Sequence, residues 1–163
     1  MVRKYIFGEP IETDAVVKEL ASSAWSDGVF QKKEDGFHYS LKEDEIVYGL
    51  GENVRGINKR GWRYISNCSD NPNYCENTNS LYGAHNFIMV GDGVHETYGL
   101  FVDTPGRVTF DIGYTDIDDL CISMEEGNYK IYLIEAASYR EVGKEFREMI
   151  GRSYIAPRWG ICY

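Results

Sequence analysis

The side chains able to do chemistry in this chain fall into carboxylate clusters, scattered histidines and thiols, and one amide-rich stretch. Glu43-Asp44-Glu45, Asp116 with Asp118 and Asp119, and Glu125-Glu126 offer the paired carboxylates that acid–base work requires. They fall at strand ends, where neighbouring side chains diverge into water, so solvated turn charge is expected. His38, His85 and His95 lack metal-ligand spacing and are expected as structural or surface groups. The cysteines at 68, 75, 121 and 162 form no C-x-x-C pair and are expected as reduced thiols, mostly small buried filler. Ser22-Ser23 and Ser153 lack a nucleophile motif, and Gly49-Leu50-Gly51 precedes no helix that could hold a phosphate. No catalytic residue, metal or cofactor is implied.

The stretch Ser66 to Ser80 is more informative, with five Asn, two Cys, one Pro and little apolar content. A loop this long is either a surface excursion or a functional element. In the functional reading its amides and its sole aspartate, Asp70, meet a hydroxyl-rich ligand or a neighbouring domain. An ionised carboxylate accepts two sugar hydroxyl hydrogen bonds, and Tyr74 and Tyr82 could cover an apolar sugar face.

These residues need a scaffold, and 163 residues suffice for one hydrophobic core. Seventeen Lys plus Arg against 26 Asp plus Glu leave a net charge of −9, which disfavours nucleic acid as a partner. No run approaches the roughly 18 apolar residues of a membrane-spanning helix, so no membrane partner is expected. Glu9 interrupts the N-terminal apolar residues before a signal-like core forms, so a cytoplasmic location is expected.

Thirteen Tyr, seven Phe and 17 Gly suit short strands joined by tight turns, an all-β composition. Asp35-Gly36 predicts a hairpin pairing residues 29–33 with 37–41. Val108, Phe110 and Ile112 share one strand face while Thr109 and Asp111 share a wet one, and Leu120, Ile122 and Met124 repeat that period. Tyr98–Val102 and Ile131–Ile134 are apolar on both faces, as in a strand between a second sheet and another covering layer.

Tyr139, Val142, Phe146, Met149 and Ile150 recur at helical spacing between Ser138 and Gly151. Ser138 and Glu141 have capping-box spacing, and Glu148 can pair with Arg152. A shorter helix is expected over Thr13 to Ala21, and a strand after Pro157 that opens a further domain.

With these elements in place, the chain resembles the N-terminal region of glycoside hydrolase family 31, the α-glucosidases and their relatives. Tyr48-Gly49-Leu50-Gly51-Glu52, Leu81-Tyr82-Gly83 through Phe87, and Tyr98-Gly99-Leu100-Phe101-Val102-Asp103 are similar to successive strands of that region. Pro157-Arg158-Trp159-Gly160 resembles the signature that opens the family's catalytic (β/α)8 barrel. Cys68 stands where Asn is frequent, and Asn86 where Pro often precedes Phe.

The resemblance implies a β-sandwich of the galactose-mutarotase-like type over residues 1–137, a connecting helix over 138–155 and the start of the barrel at 156–163. It implies a retaining α-glucosidase acting on small α-linked gluco-oligosaccharides, with both catalytic aspartates on barrel strands and none in this chain. It implies that Asp70 touches substrate from a rim loop, and that the isolated chain is inactive. The partners implied are an oligosaccharide and the parent's own barrel. Self-association into a homo-oligomer is expected from exposed apolar surface, including Trp159 and part of the helix stripe. The alternative is a freestanding carbohydrate-binding or structural module. A third reading, an epimerase, requires a histidine and a carboxylate converging in the sandwich cleft, for which His85 and His95 are the candidates.

Overall fold

A computed structural model of the protein describes residues 1–161. Its strands are β1 (Val2–Phe7), β2 (Ser22–Ser23), β3 (Gln31–Lys32), β4 (Phe37–Ser40), β5 (Ile46–Gly51), β6 (Trp62–Ser66), β7 (Ala84–Gly91), β8 (Thr97–Asp103), β9 (Val108–Ile112), β10 (Asp119–Met124) and β11 (Tyr129–Ala136). They form a six-stranded sheet of order β2-β1-β11-β8-β7-β5 and a five-stranded sheet of order β3-β4-β10-β9-β6. The all-β sandwich expected from the alternation is therefore present, and the Asp35-Gly36 turn sets the pairs Gln31↔His38 and Lys32↔Phe37.

Strand alternation builds the core. Phe37 and Tyr39 of β4, Phe110 and Ile112 of β9, and Leu120 and Ile122 of β10 meet Leu100 and Val102 of β8 and Ile131 and Leu133 of β11 in one buried cluster. Burying a side chain of this size stabilises by about 1.5–3 kcal/mol before entropy is charged. The opposite faces of β7, β8 and β11 are also covered, by α1 (Tyr139–Ile150). Val142 and Phe146 of α1 pack with Phe87 and Ile134, which explains why these strands read as apolar on both sides. Gly99 permits the close approach, since a Cβ there would lie 2.5 Å from Val142 Cγ1.

Ser138 Oγ accepts from the Glu141 amide at 3.3 Å, while the Glu141 carboxylate reaches back one residue further than the usual box, to the Ala137 amide at 3.1 Å. Glu148 faces Lys144 at 4.0 Å rather than pairing with Arg152. The helix stripe meets the six-stranded sheet instead of standing exposed. Val142 and Met149 are buried, and only Ile150 at the end of the stripe is open to solvent.

Two expected elements are replaced by other structure. Thr13 to Ala21 forms no helix; the Val17 and Lys18 amides donate to Met149 O at the end of α1, so the segment caps another helix. After Pro157 the chain makes a 3-10 turn over Arg158–Gly160, closed by Gly160 N–H to Pro157 O, in place of a strand. No neighbouring strand among the described residues offers a ladder there, so the backbone satisfies itself locally. The last two residues of that expected strand, 162 and 163, lie outside the described residues.

Charge placement also departs from expectation. Glu45 is buried, accepting from Tyr39 Oη at 2.5 Å and the Lys42 amide at 2.8 Å. Asp111 is covered rather than wet. Burial alone would push its pKa up, but hydrogen bonds from Thr115, Arg63 and the Tyr114 amide outweigh it and hold the carboxyl below its usual range. Cys68 and Cys75 are exposed instead of buried, because both belong to a loop rather than a strand face.

Candidate functional site

Strands β5, β6 and β7 deliver two loops, 52–61 and 67–83, to one end of the sandwich. A bulge at Gly49 to Gly51 turns β5 toward them, with Leu50 at φ 69° and buried. Gly51 is required at this corner, since a Cβ would lie 2.1 Å from Gly83 O. The following residue then ties the loops together: Glu52 N–H donates to Gly83 O at 2.7 Å, and Leu81 N–H to Glu52 O at 3.2 Å.

The longer loop closes on itself at a neck. Ser69 N–H donates to Leu81 O at 3.0 Å, and Ser80 Oγ both accepts from the Asn67 amide and donates to Asn67 O at 2.6 Å. Its outer lobe is turned by Asn73 N–H to Asn71 Oδ1 and by a Cys75–Thr78 turn, Thr78 N–H to Cys75 O at 2.9 Å. Arg55 holds the lobe from the shorter loop. Its Nε donates to Glu76 O and its Nη1 to Arg63 O, each at 2.8 Å, while the guanidinium lies 4.2 Å from the Trp62 ring centroid and 4.8 Å from that of Tyr64. Lys59 braces the shorter loop from beneath, donating from Nζ to Asn53 Oδ1 and Gly56 O. Burial, and then the Arg55 charge, push the Lys59 amine below its ordinary pKa.

Asp70 sits immediately beyond the neck, exposed, with no hydrogen-bond or ion-pair partner among the described residues. Tyr74 and Tyr82 are also exposed, each at 53%. The amides gather elsewhere. Asn67, Asn71, Asn77 and Asn79, with Arg107, line a cavity of about 400 Å3 that neither Asp70 nor the two tyrosines reach. Asp70 stands between two of the residues that line it, Ser69 and Asn71, without lining it itself. Arg55 and Glu52 are organising residues that sequence reading passed over; the available signal was an arginine followed by two aromatics spaced for one strand face.

The remaining chemistry-bearing residues lie apart. His85 is exposed beside Gly83 and Glu52, and His95 pairs with Asp92 across an exposed turn. His38 is buried on the outer face of the five-stranded sheet, between two aspartates.

A family model described as the glycosyl hydrolase 31 N-terminal galactose mutarotase-like domain matches residues 8–111. The chain is 29% identical over 125 residues to an alpha-glucosidase of Saccharolobus solfataricus, covering 76% of this chain and 18% of that protein. It is 30% identical over 122 residues to the alpha-xylosidase XylQ of Lactiplantibacillus pentosus, covering 74% and 15% respectively. Among solved structures, a Flavobacterium johnsoniae dextranase complexed with isomaltotriose matches with a TM-score of 0.69 at 25% identity, over 84% of this chain and 17% of that one. The chain thus spans a fifth or less of the length of these curated relatives.

Proposed function

This chain belongs to the N-terminal galactose mutarotase-like domain family of glycosyl hydrolase 31, and on that premise we propose that it is the non-catalytic sandwich of a retaining α-glucosidase. In this reading the sandwich packs beside a catalytic barrel and lends it a substrate-rim loop, and small α-linked gluco-oligosaccharides are the substrates. Residues 1–137 supply the sandwich, 138–155 the connection and 156–163 the start of the barrel. The observation carrying the reading is Asp70, a carboxylate without a partner among the described residues, beside the neck of a loop that Arg55 and Ser80 fix from both sides. Such a group is ready to accept from sugar hydroxyls without first breaking an internal bond.

Docking against a barrel is supported by the C-terminal segment, where Tyr154, Ile155, Trp159 and Ile161 are 72–90% exposed. Left uncovered, this segment favours self-association.

Steady-state kinetics of the full-length enzyme test the role of Asp70. Asp70→Ala is expected to lower kcat/KM on an oligosaccharide about ten- to a hundredfold, the loss of one charged hydrogen bond. An unchanged kcat/KM removes Asp70 from the substrate site. The 163-residue chain alone is expected to release no glucose from maltose, and measurable hydrolysis by it would overturn the non-catalytic role.

A further inference from the structure

The outer face of the five-stranded sheet assembles donor atoms that the sequence keeps far apart. Because Phe37 and Tyr39 of β4 and Leu120 and Ile122 of β10 point into the core, His38 and Cys121 between them point outward. The two are directly opposed in the β4–β10 register. Asp35 enters from the hairpin turn preceding β4, and Asp119 from the start of β10.

His38 Nδ1 lies 2.8 Å from Asp119 Oδ2. An ionised carboxylate can only accept, so Nδ1–H donates to Asp119, and Nε2 is the nitrogen left for an ion, which would take the place of the Nε2 hydrogen that Asp35 otherwise accepts. Nε2 faces Asp35 Oδ1 at 3.0 Å and Cys121 Sγ at 3.5 Å. A ring nitrogen, a carboxylate oxygen and a thiol sulfur thus converge, all within 4.8 Å of one another.

We propose that Asp35, His38 and Cys121 form a zinc-type divalent-cation site, with Asp119 as the residue that orients the imidazole. A tetrahedral zinc at about 2.0 Å from nitrogen and about 2.3 Å from sulfur sets those two atoms about 3.5 Å apart. That is the separation of His38 Nε2 and Cys121 Sγ. Imidazole, thiolate and carboxylate suit a borderline-soft ion, and a carboxylate on the far ring nitrogen is the usual support for a zinc-bound histidine. His38 is fixed by its burial, whereas Asp35, with 70% of its side chain exposed, can close onto the ion from the rim. A cavity of about 450 Å3 lies over the group, giving the ion access and leaving a fourth position for water. Arg63, which also lines the cavity, is engaged by Asp111 at 2.8 Å.

The site lies outside the Asp70 loop, so its test is independent of the hydrolase reading. Zinc is titrated calorimetrically into the chelator-treated 163-residue chain, and cobalt(II) serves as the spectroscopic probe. Expected are one ion per chain and a thiolate-to-cobalt charge-transfer band. The band disappears in Cys121→Ser and persists when Cys68, Cys75 and Cys162 are all changed to Ser. Asp119→Asn is expected to weaken binding about ten- to a hundredfold while leaving the band in place at saturation. Circular dichroism accompanies each variant; should His38→Gln fail to fold, Cys121→Ser on the outer sheet face still decides the matter. Absence of binding overturns the proposal, as does a band that survives Cys121→Ser or is lost with the other three thiols. His38 ring resonances unmoved by zinc, the mark of a ring held only by its two aspartates, overturn it equally.

Discussion

The rings of Phe87 in β7 and Phe146 in α1 lie parallel, with centroids 3.7 Å apart and 2° between their planes. Phe101 closes on the edge of Phe146 at 5.5 Å, so one helical side chain is held by two strands. Phe146→Ala is expected to destabilise the protein by about 3 kcal/mol, the low end for a phenylalanine because the ring is half-buried. Urea denaturation would read this as a lower midpoint at unchanged slope.

The same interface limits what β8 can carry. Gly99→Ala would place a methyl 2.5 Å from Val142 Cγ1 and 3.2 Å from Phe87 Cε2, so the helix must move out. A loss of about 1–3 kcal/mol is expected. Restored stability in the double variant Gly99→Ala/Val142→Ala would assign the cost to this contact, and additive losses would not.

Arg55 gives the loop its fixed shape, and Arg55→Lys is not expected to replace it. A lysine cannot donate in a planar fork to two carbonyls while lying over two rings. Hydrogen exchange should quicken about tenfold or more at the Ser69 and Thr78 amides in the variant, with the amides of β11 unchanged. Equal acceleration in both regions would mean that Arg55 supports the whole sandwich.

Alkaline pH should loosen the helix side of the molecule. Burial pushes the Tyr132 and Tyr139 phenols up to about 12, against about 10 in an unfolded chain. The folded state therefore holds these protons more tightly, so the associated stability is complete below pH ~10 and lost as pH rises from there through about 12. Thermal melts across this range should fall in parallel with the appearance of tyrosinate absorbance. Tyr139→Phe, which loses the one hydroxyl hydrogen shared by Ile46 O and Gly91 O, should flatten the dependence while lowering stability at neutral pH.

The features legible in the sequence are those set by neighbours along the chain. Asp35-Gly36 determines its own hairpin, and the spacing of Val142, Phe146 and Met149 draws a helix without reference to anything else. Alternation even reports the covering layer, since Tyr132 and Ile134 cannot both be buried beside Ile131 and Leu133 unless the sheet is coated twice. Thr13 to Ala21 escaped because its backbone answers to Met149 O, at the far end of the chain. Glu45 reads as one more turn acid until Tyr39 supplies a buried hydroxyl that needs an acceptor. His38 and Cys121 are separated by 83 positions, and only the β4–β10 register sets them opposite each other. The position of Asp70 was visible as the lone aspartate of an unusual loop, but the neck beside it was not, because Ser80 and Leu81 had no apparent reason to reach Asn67 and Ser69.

That neck has an evolutionary consequence. Everything the sheets require of the long loop is met by Asn67, Ser69, Ser80 and Leu81, where the two legs are stitched together. Residues 71–79 hang beyond the stitch, and lengthening such a lobe adds only slowly to its closing entropy. Descendants could rewrite that lobe by insertion or deletion while the framework beneath inherits none of the change.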